Sequence, residues 1–253
     1  MKRKNWSREE TILAFYLCYQ IPFSKRDKGN EDIIRLANII GRTPDALVYK
    51  MMNLAYLDPT LKQKGLSNGS KLDSVIFSEF FENWVELAEQ AYIILKSFYS
   101  DNAFTKEIEE EKIPAGGDKE VTINQRVGQN FFRKSVLASY NMQCCITGLS
   151  DSKLLIASHI KPWSKAASKE KTNPSNGLCL NPFHDSLFDK GYISLDNDFK
   201  ILIAPELRNI ETDIQTKDWL FQYEGKKITL PSVKSFTPDL SFLEYHRDVI
   251  FMK

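Results

Sequence analysis

Histidine is scarce in this chain, and so is cysteine. Three of the 253 residues are histidines, at positions 159, 184 and 246, and four are cysteines. A chain of this length can bury a core without disulfide bonds, so the cysteines are expected to be reduced, buried side chains. Cys144 and Cys145 are adjacent, whereas paired zinc thiolates usually have two to four residues between them. A structural zinc site is therefore not expected.

Long apolar runs are absent as well. No stretch approaches the roughly 18–20 apolar residues that span a bilayer. The first ten residues, MKRKNWSREE, begin basic but reach Arg8, Glu9 and Glu10 where a secretory signal would have its apolar core. These two observations predict no membrane partner and a cytoplasmic location.

Excess charge is also small, with a net value of +1, but the charges are unevenly placed. Residues 1–75 hold 13 Lys and Arg against 8 Asp and Glu, residues 76–120 hold 4 against 11, and residues 121–253 hold 17 against 14. Mildly basic blocks suit a phosphate-rich partner such as nucleic acid. An excess of this size is equally ordinary for a solvated surface, so the charge supports that partner only weakly.

The first hundred residues have the patterns of helices. Asn30 fits the N-cap of a helix that Gly41 ends, and Thr43 and Pro44 fit the N-cap and first position of the next one. Two helices joined by a three-residue turn with a glycine have the spacing of a helix-turn-helix motif. A further helix is predicted over residues 76–98.

The segment TKEIEEEKIPAGGDKE, at 105–120, separates two regions of different composition. It is charged and contains proline and paired glycines, which is typical of an exposed linker. We therefore predict a helical domain at 1–100, a linker at 101–120 and a second domain at 121–253.

The second region predicts a small unit of two strands and a helix. A helix over 124–140 comes first, LLIASHI is typical of a strand, and NGLCL follows an Asn-Gly turn as the second strand. PFHDSLFDKG predicts a short helix, and KILIAP and KKITLP predict later strands. Such a unit brings His159, Asn176 and His184 around one small cavity, while His246 is expected to be structural or on the surface.

Several linked stretches in this order resemble a known family. They are RVGQNFFRKSVLASYNMQCCITG, LLIASHIKPW, NPSNGLCL, HDSLFDKGYISLD and the tail KKITLP…PDLSFLEYHRDVIF. Residues 126–253 thereby resemble an HNH endonuclease domain of the kind found in bacterial restriction enzymes. The resemblance implies an α+β fold, with a ββα-metal unit carrying extra helices and strands after the helical N-terminal region. It also implies hydrolysis of double-stranded DNA with a divalent cation, Mg²⁺ by expectation and Mn²⁺ as the alternative.

Roles for the site residues follow from this resemblance and from the chemistry of phosphodiester hydrolysis. A neutral imidazole is a suitable general base near pH 7, which assigns His159 as the base. Asn176 would orient that ring and its loop. His184 is the first candidate for a metal ligand, and Asp189 or Asp185 would add a carboxylate.

The residue before the proposed base departs from the family pattern. Many HNH nucleases carry a metal-ligating Asp or His there, whereas this chain has Ser158. A hydroxyl is a poor ligand for a hard cation compared with a carboxylate. The metal is then expected to depend more on His184 and Asp189, or on additional waters.

Candidate DNA contacts occur in both regions. The helix-turn-helix pattern, with the helix that begins at NWSREET, is similar to the three-helix Myb/SANT-type fold, and its second helix would enter a groove. A helical packing or dimerisation role is the alternative for residues 1–100. The candidate contacts are Arg42, Thr43, Tyr49 and Lys50 in the first region and Arg133, Lys134, Lys161 and Trp163 in the second.

The leading interpretation is a metal-dependent DNA endonuclease of restriction type whose N-terminal helices choose the target. A nuclease specific for modified DNA is a close variant. Two other classes stay open: a non-catalytic DNA-binding or regulatory protein on an HNH scaffold, and a nonspecific toxin-like nuclease. Cutting both strands needs two active sites or two visits, so a homodimer is one expected arrangement.

Overall fold

The computed structural model describes residues 5–61, 65–98, 119–209 and 213–253, and side chains of the third range from residue 126 onward. Residues of the predicted linker before 119 lie outside these ranges. The first two ranges are helical. Their helices are α1 (Arg8–Cys18), α2 (Glu31–Ile39), α3 (Pro44–Leu57), α4 (Lys71–Phe80) and α5 (Trp84–Phe98).

Local side-chain caps begin these helices where the sequence predicts. The Ser7 hydroxyl accepts a hydrogen bond at the start of α1, and the Asn30 side chain does the same for α2. Thr43 caps α3 with Pro44 in its first turn. Gly41 has a φ of 65°, so the turn between α2 and α3 contains the left-handed residue expected there.

The single helix predicted over 76–98 is wrong, because the structure has α4 and α5 with a break between them. Glu82 in that break has a φ of 64°, which a continuing helix does not allow. The break turns the chain so that the Trp84 side chain is buried and packs edge-on against Phe81. Aromatic packing therefore overrides a continuous helical pattern.

The remaining ranges combine helices with two small antiparallel sheets, which makes the fold α+β. The predicted helix over 124–140 is confirmed, as α6. The elements are α6 (Lys119–Ser139), β1 (Ile156–His159), α7 (Ser168–Lys171), β2 (Gly177–Leu180), α8 (Pro182–Asp189), β3 (Ile193–Leu195), β4 (Ile201–Ile203), α9 (Pro205–Arg208), α10 (Ile214–Phe221) and α11 (Leu240–Val249).

Strand pairing confirms part of the predicted order. β1 pairs with β2, with His159 opposite Gly177, and β3 pairs with β4, with Ile193 opposite Ile203. The segment KKITLP is not a strand among the described residues, since it contributes only an isolated bridge from Lys227. The partner of KILIAP is instead β3, a stretch that the sequence pattern did not single out.

Helix α6 belongs to two hydrophobic clusters. The first cluster consists mainly of the N-terminal helices and includes Phe131, which stacks against Tyr16. The second surrounds the two sheets and includes Phe132, the next residue of α6. Adjacent aromatic side chains therefore point into different cores. Among the helices that the structure describes, none is long and apolar enough to cross a membrane.

Candidate active site

Strands β1 and β2 and helix α8 pack together as a ββα unit. β1 ends at His159, and the tight turn Pro174–Asn176 leads into β2. Asn181 caps α8, which brings His184 into the first turn of that helix. His159, Asn176 and His184 therefore belong to one ββα unit, as the strand-strand-helix order predicts, and their convergence on one cavity stays a prediction.

The His159 ring is fixed by one hydrogen bond. Its Nε2 lies 3.0 Å from the Lys171 carbonyl oxygen. A carbonyl only accepts, so Nε2 carries the proton and donates, and Nδ1 has the lone pair. Nδ1 makes no hydrogen bond to the part of the chain that the structure describes. The ring is therefore a neutral imidazole whose Nδ1 has no hydrogen-bond partner among the described residues.

Aromatic side chains enclose the same ring. Phe132 stacks on His159 with ring centroids 3.7 Å apart, and Trp163 packs against it edge-on at 5.6 Å. Gly177, opposite His159 in the sheet, makes room for this stack, because a Cβ there would lie 2.9 Å from the Phe132 ring. Burial lowers the pKa of His159 below its ordinary value, and the bond to Lys171 partly opposes that shift. The imidazole therefore stays neutral near pH 7.

Asn176 is buried and closes the loop that follows β1. Its Oδ1 accepts from the Lys161 backbone N–H at 2.8 Å, and its Nδ2 donates to the carbonyls of Lys161 and Glu170 at 3.1 and 3.3 Å. Glu170 is next to Lys171, whose carbonyl accepts from His159. The amide thus contacts the loop and not the His159 ring, so any effect on the ring passes through the backbone.

His184 is buried, and its tautomer is also set by a neighbour. Its Nδ1–H donates to Asn181 Oδ1 at 3.1 Å, and its backbone N–H donates to the same oxygen at 2.9 Å. Nε2 then carries the lone pair, in the arrangement that metal-binding histidines use. Burial lowers the pKa of His184, which favours the neutral, metal-competent form.

Two carboxyl groups lie near the end of β1. Burial raises the pKa of Asp185, and the Ser158 hydroxyl partly lowers it again. Burial and the Asp185 charge raise the pKa of Asp189. The Ser158 Oγ is itself buried without a hydrogen bond of normal geometry to the described residues, although it lies close enough to Asp185 to act on that group. Repelling carboxylates and an unsatisfied hydroxyl are what a bound cation would stabilise.

The donors present fit a divalent cation that keeps several non-protein ligands. Within the described ranges, no three His, Cys, Asp or Glu side chains converge as a complete metal cage. Mg²⁺ is commonly held by one or two carboxylates together with waters and substrate phosphate. Asp185, with His184 and Asp189 as further candidates, satisfies that smaller requirement.

His246, the third histidine, packs against the last turn of α8 and is buried, as expected for a structural residue. It is 1% exposed, and its Nε2–H donates to the Phe188 carbonyl at 3.0 Å. Its Nδ1 is 2.9 Å from the Ser194 hydroxyl, and its ring stacks on Phe188. Both ring nitrogens are therefore used within the core.

The predicted DNA contacts of the second region lie in different settings. Lys161 pairs with Glu170 at 2.7 Å, and Arg133 donates to the Leu155 carbonyl. Trp163 packs against His159 and beneath the Lys171 ammonium group. Lys134 is partly exposed on α6. Among these four residues, Trp163 is thus the one in contact with the proposed base.

In the N-terminal region, two of the four predicted contacts are engaged internally. Arg42 bonds Glu10 at 2.6 Å, and Lys50 is buried in an ion pair with Asp73. Thr43 caps α3, and Tyr49 is 61% exposed. Contact with DNA by these four residues stays a prediction, and Tyr49 presents the largest exposed surface among them.

Several contacts that shape the site could not be predicted from the sequence motifs. Phe132 and Lys171 hold His159 from 27 positions before it and 12 after it. The capping role of Asn181 could have been predicted, because an Asn before Pro at a helix start is an N-cap pattern. The contact between Ser158 and Asp185 depends on how α8 packs on β1, which spacing alone does not give.

Comparison with known proteins gives the class of this unit. Residues 144–196 match the family model described as HNH endonuclease, so the chain carries an HNH endonuclease domain, the domain of a class of DNA-cleaving enzymes. Among solved structures, the chain is similar to a modification-dependent TagI restriction endonuclease, with 21% identity and a TM-score of 0.30. That match covers 46% of this chain and 36% of the other, so the family match carries the assignment. No curated protein matches the chain.

Proposed function

We propose that the protein is a metal-dependent DNA endonuclease in which His159 is the general base. One observation carries this proposal: the Nε2–H of His159 donates to the Lys171 carbonyl, which leaves the lone pair on Nδ1 of a ring that is only partly buried. An imidazole held in this way accepts a proton from water near pH 7. It lies within the HNH domain, whose substrate is DNA.

The reaction is hydrolysis of one phosphodiester bond. His159 Nδ1 takes a proton from a water molecule as the water oxygen forms a bond to phosphorus, and the bond from phosphorus to the 3′ oxygen breaks. The Lys171 carbonyl stabilises the imidazolium that forms, because it accepts from the opposite nitrogen. Phe132 keeps the ring plane fixed, and Asn176 keeps the Lys171 segment in place through the loop.

The cation is proposed to be held by His184 and Asp185, with Asp189 next to them; Mg²⁺ is the expected ion and Mn²⁺ the alternative. When bound, it would supply positive charge at the scissile phosphate and the departing oxygen. Asp185 lies beside Ser158, where many HNH nucleases carry their metal-binding residue. Helix α8 therefore supplies the Asp185 carboxylate beside the position where β1 has only the Ser158 hydroxyl.

The test is cleavage of plasmid and phage DNA, methylated and unmethylated, with Mg²⁺ or Mn²⁺ and with a chelator. The wild type should cut with metal and not with chelator, and His159→Ala should lose cutting by about 100- to 10,000-fold while it still binds DNA. Discrete fragments would support a restriction enzyme. Cutting of the methylated DNA alone would identify a modification-dependent one. Equal cutting with chelator would contradict the metal, and retained cutting by His159→Ala would contradict the base.

The role of residues 1–100 is a separate part of the proposal. We assign them to target choice, with Tyr49 on α3 as the exposed residue to test. Tyr49→Ala should change which sites are cut without changing the rate at a site that is still cut. An unchanged fragment pattern would favour the packing or dimerisation role, for which the internal pairs of Arg42 and Lys50 are suited.

A further inference from the structure

An aromatic pair with one exposed member lies beside the candidate metal ligand. Trp219 of α10 is 47% exposed, and its ring centroid lies 4.2 Å from that of Phe183. Phe183 directly precedes His184, and the Trp219 and His184 rings are 6.4 Å apart. Trp219 follows the segment matched by the HNH family, which ends at residue 196. We call Trp219 and Phe183 the aromatic platform.

We propose that the aromatic platform binds an unstacked base of the DNA substrate next to the scissile phosphate. This inference rests on the nuclease function proposed above. Large exposed apolar rings cost free energy in water, so an indole that keeps about half of its surface exposed at a candidate active site is suited to a ligand. Every nucleobase offers a flat ring that stacks on tryptophan.

The distances suit that occupant. The His184 and Trp219 ring centroids are 6.4 Å apart, which is within the span of one nucleotide from its phosphate to its base. Tyr223, two residues after α10, also packs edge-on against His184, at 5.6 Å, and so helps to fix the imidazole relative to this segment. A phosphate at the candidate metal site would thus place a neighbouring base within reach of the platform.

Charged side chains of both signs lie in the segments around the platform. Lys217 is followed directly by Asp218. Arg208 is paired with Glu224. The Lys226 ammonium group also lies over the Tyr223 ring, so a cation is close by, while the platform itself contributes only uncharged ring surface. The affinity that it contributes should therefore depend on bases and change little with salt, unlike contacts to phosphate.

The experiment compares two short single-stranded DNA oligonucleotides of equal length, one of mixed sequence and one whose central nucleotides are abasic, with chelator present so that neither is cut. The full-length wild type should bind the first more tightly by about 5- to 100-fold, the range that one stacked base contributes. Trp219→Ala should abolish this ratio and leave the affinity for the abasic strand unchanged. The ratio should persist between about 50 and about 200 mM salt while both affinities fall.

Three further variants separate stacking from folding. Trp219→Phe keeps an aromatic face and should keep most of the ratio, whereas Trp219→Leu keeps apolar bulk against Phe183 and should lose it. Ile214→Ala removes another exposed apolar side chain of α10, one that is 78% exposed, and should change nothing. A Trp219→Leu protein with the wild-type ratio, or a wild type that binds neither strand, would overturn the platform. If the affinity ratio depends on Trp219 as expected but no DNA is ever cut, the nuclease proposal fails and base binding by the platform is retained.

Discussion

Two histidines of this chain are held in nearly the same way, yet we propose a chemical role for only one of them. His159 and His246 each stack on a phenylalanine, and each Nε2–H donates to a backbone carbonyl. They differ at the other nitrogen and in exposure. Ser194 occupies Nδ1 of His246, which is fully buried, whereas Nδ1 of His159 has no such partner among the described residues. The difference between a structural and a reactive histidine here is one neighbouring hydroxyl and access to solvent.

The largest expected effect comes from removing each ring in turn. His159→Ala should lower the cleavage rate by about 100- to 10,000-fold and cost less unfolding free energy than the change at His246, because part of the His159 ring is exposed. His246→Ala should do the reverse, costing about 2–4 kcal/mol of stability because it leaves a cavity and unpaired polar groups, while the folded protein still cuts. Cleavage rates and urea unfolding of both variants measure this. An equal loss of unfolding free energy in the two variants would contradict the proposed contrast between His159 and His246.

Acid should separate the two histidines next. Burial lowers the pKa of His246 to about 4; its bond to the Phe188 carbonyl opposes the shift, and nearby Arg247 adds to it. The unfolded chain takes up this proton near pH 6.5, so unfolding binds a proton between about pH 6.5 and about 4. This contribution is complete above about pH 6.5, and about 3 kcal/mol is lost as the pH falls to about 4.

Urea unfolding at several pH values checks this expectation. His246→Gln has no titrating ring at this position, so its unfolding free energy should fall less than that of the wild type over the same range. Carboxyl groups titrate in both proteins and cancel in the difference. Parallel curves for the two proteins would mean that His246 is not held neutral.

A smaller effect is expected from filling the space under the proposed base. A Cβ on Gly177 would meet Val136 and Phe132 side chains at 2.4 and 2.9 Å. Gly177→Ala should displace Phe132 and with it His159, costing about 1–3 kcal/mol and lowering the cleavage rate. Gly69→Ala is the matched control, because its Cβ would meet only ordinary contacts at 3.6 Å and beyond. A Gly177→Ala enzyme with normal rate and stability would show that the stack is adaptable.

The smallest and sharpest test uses the two adjacent phenylalanines of α6. Phe131→Leu and Phe132→Leu are the same chemical change in two buried positions, and each should cost about 1 kcal/mol. Only Phe132→Leu should also lower the cleavage rate, because only Phe132 contacts His159. Thermal unfolding and cleavage rates of the pair decide this. An equal loss of rate would mean that the N-terminal core supports the base as strongly as the stack does.

Sequence reasoning succeeds here where the physics is local. Asn30 and Thr43 cap their helices with their own side chains, so a few neighbouring residues suffice to predict them. The strand-strand-helix order around His159 and His184 is local in the same sense. Sequence reasoning fails where contacts between distant segments determine the structure. The Phe132 stack and the Ser158–Asp185 contact depend on tertiary packing, and the break at Glu82 depends on where Trp84 is buried.

The two apolar faces of α6 limit how the nuclease domain can be fused to another targeting module. A fragment that begins near residue 121 would carry the apolar side of α6 uncovered, with Phe131 and Val127 exposed along with Val233 and Phe236 of the C-terminal segment. Such a surface promotes aggregation. A working chimaera therefore requires either a host that supplies a matching apolar surface or a redesigned outer face of α6 that leaves Phe132 untouched.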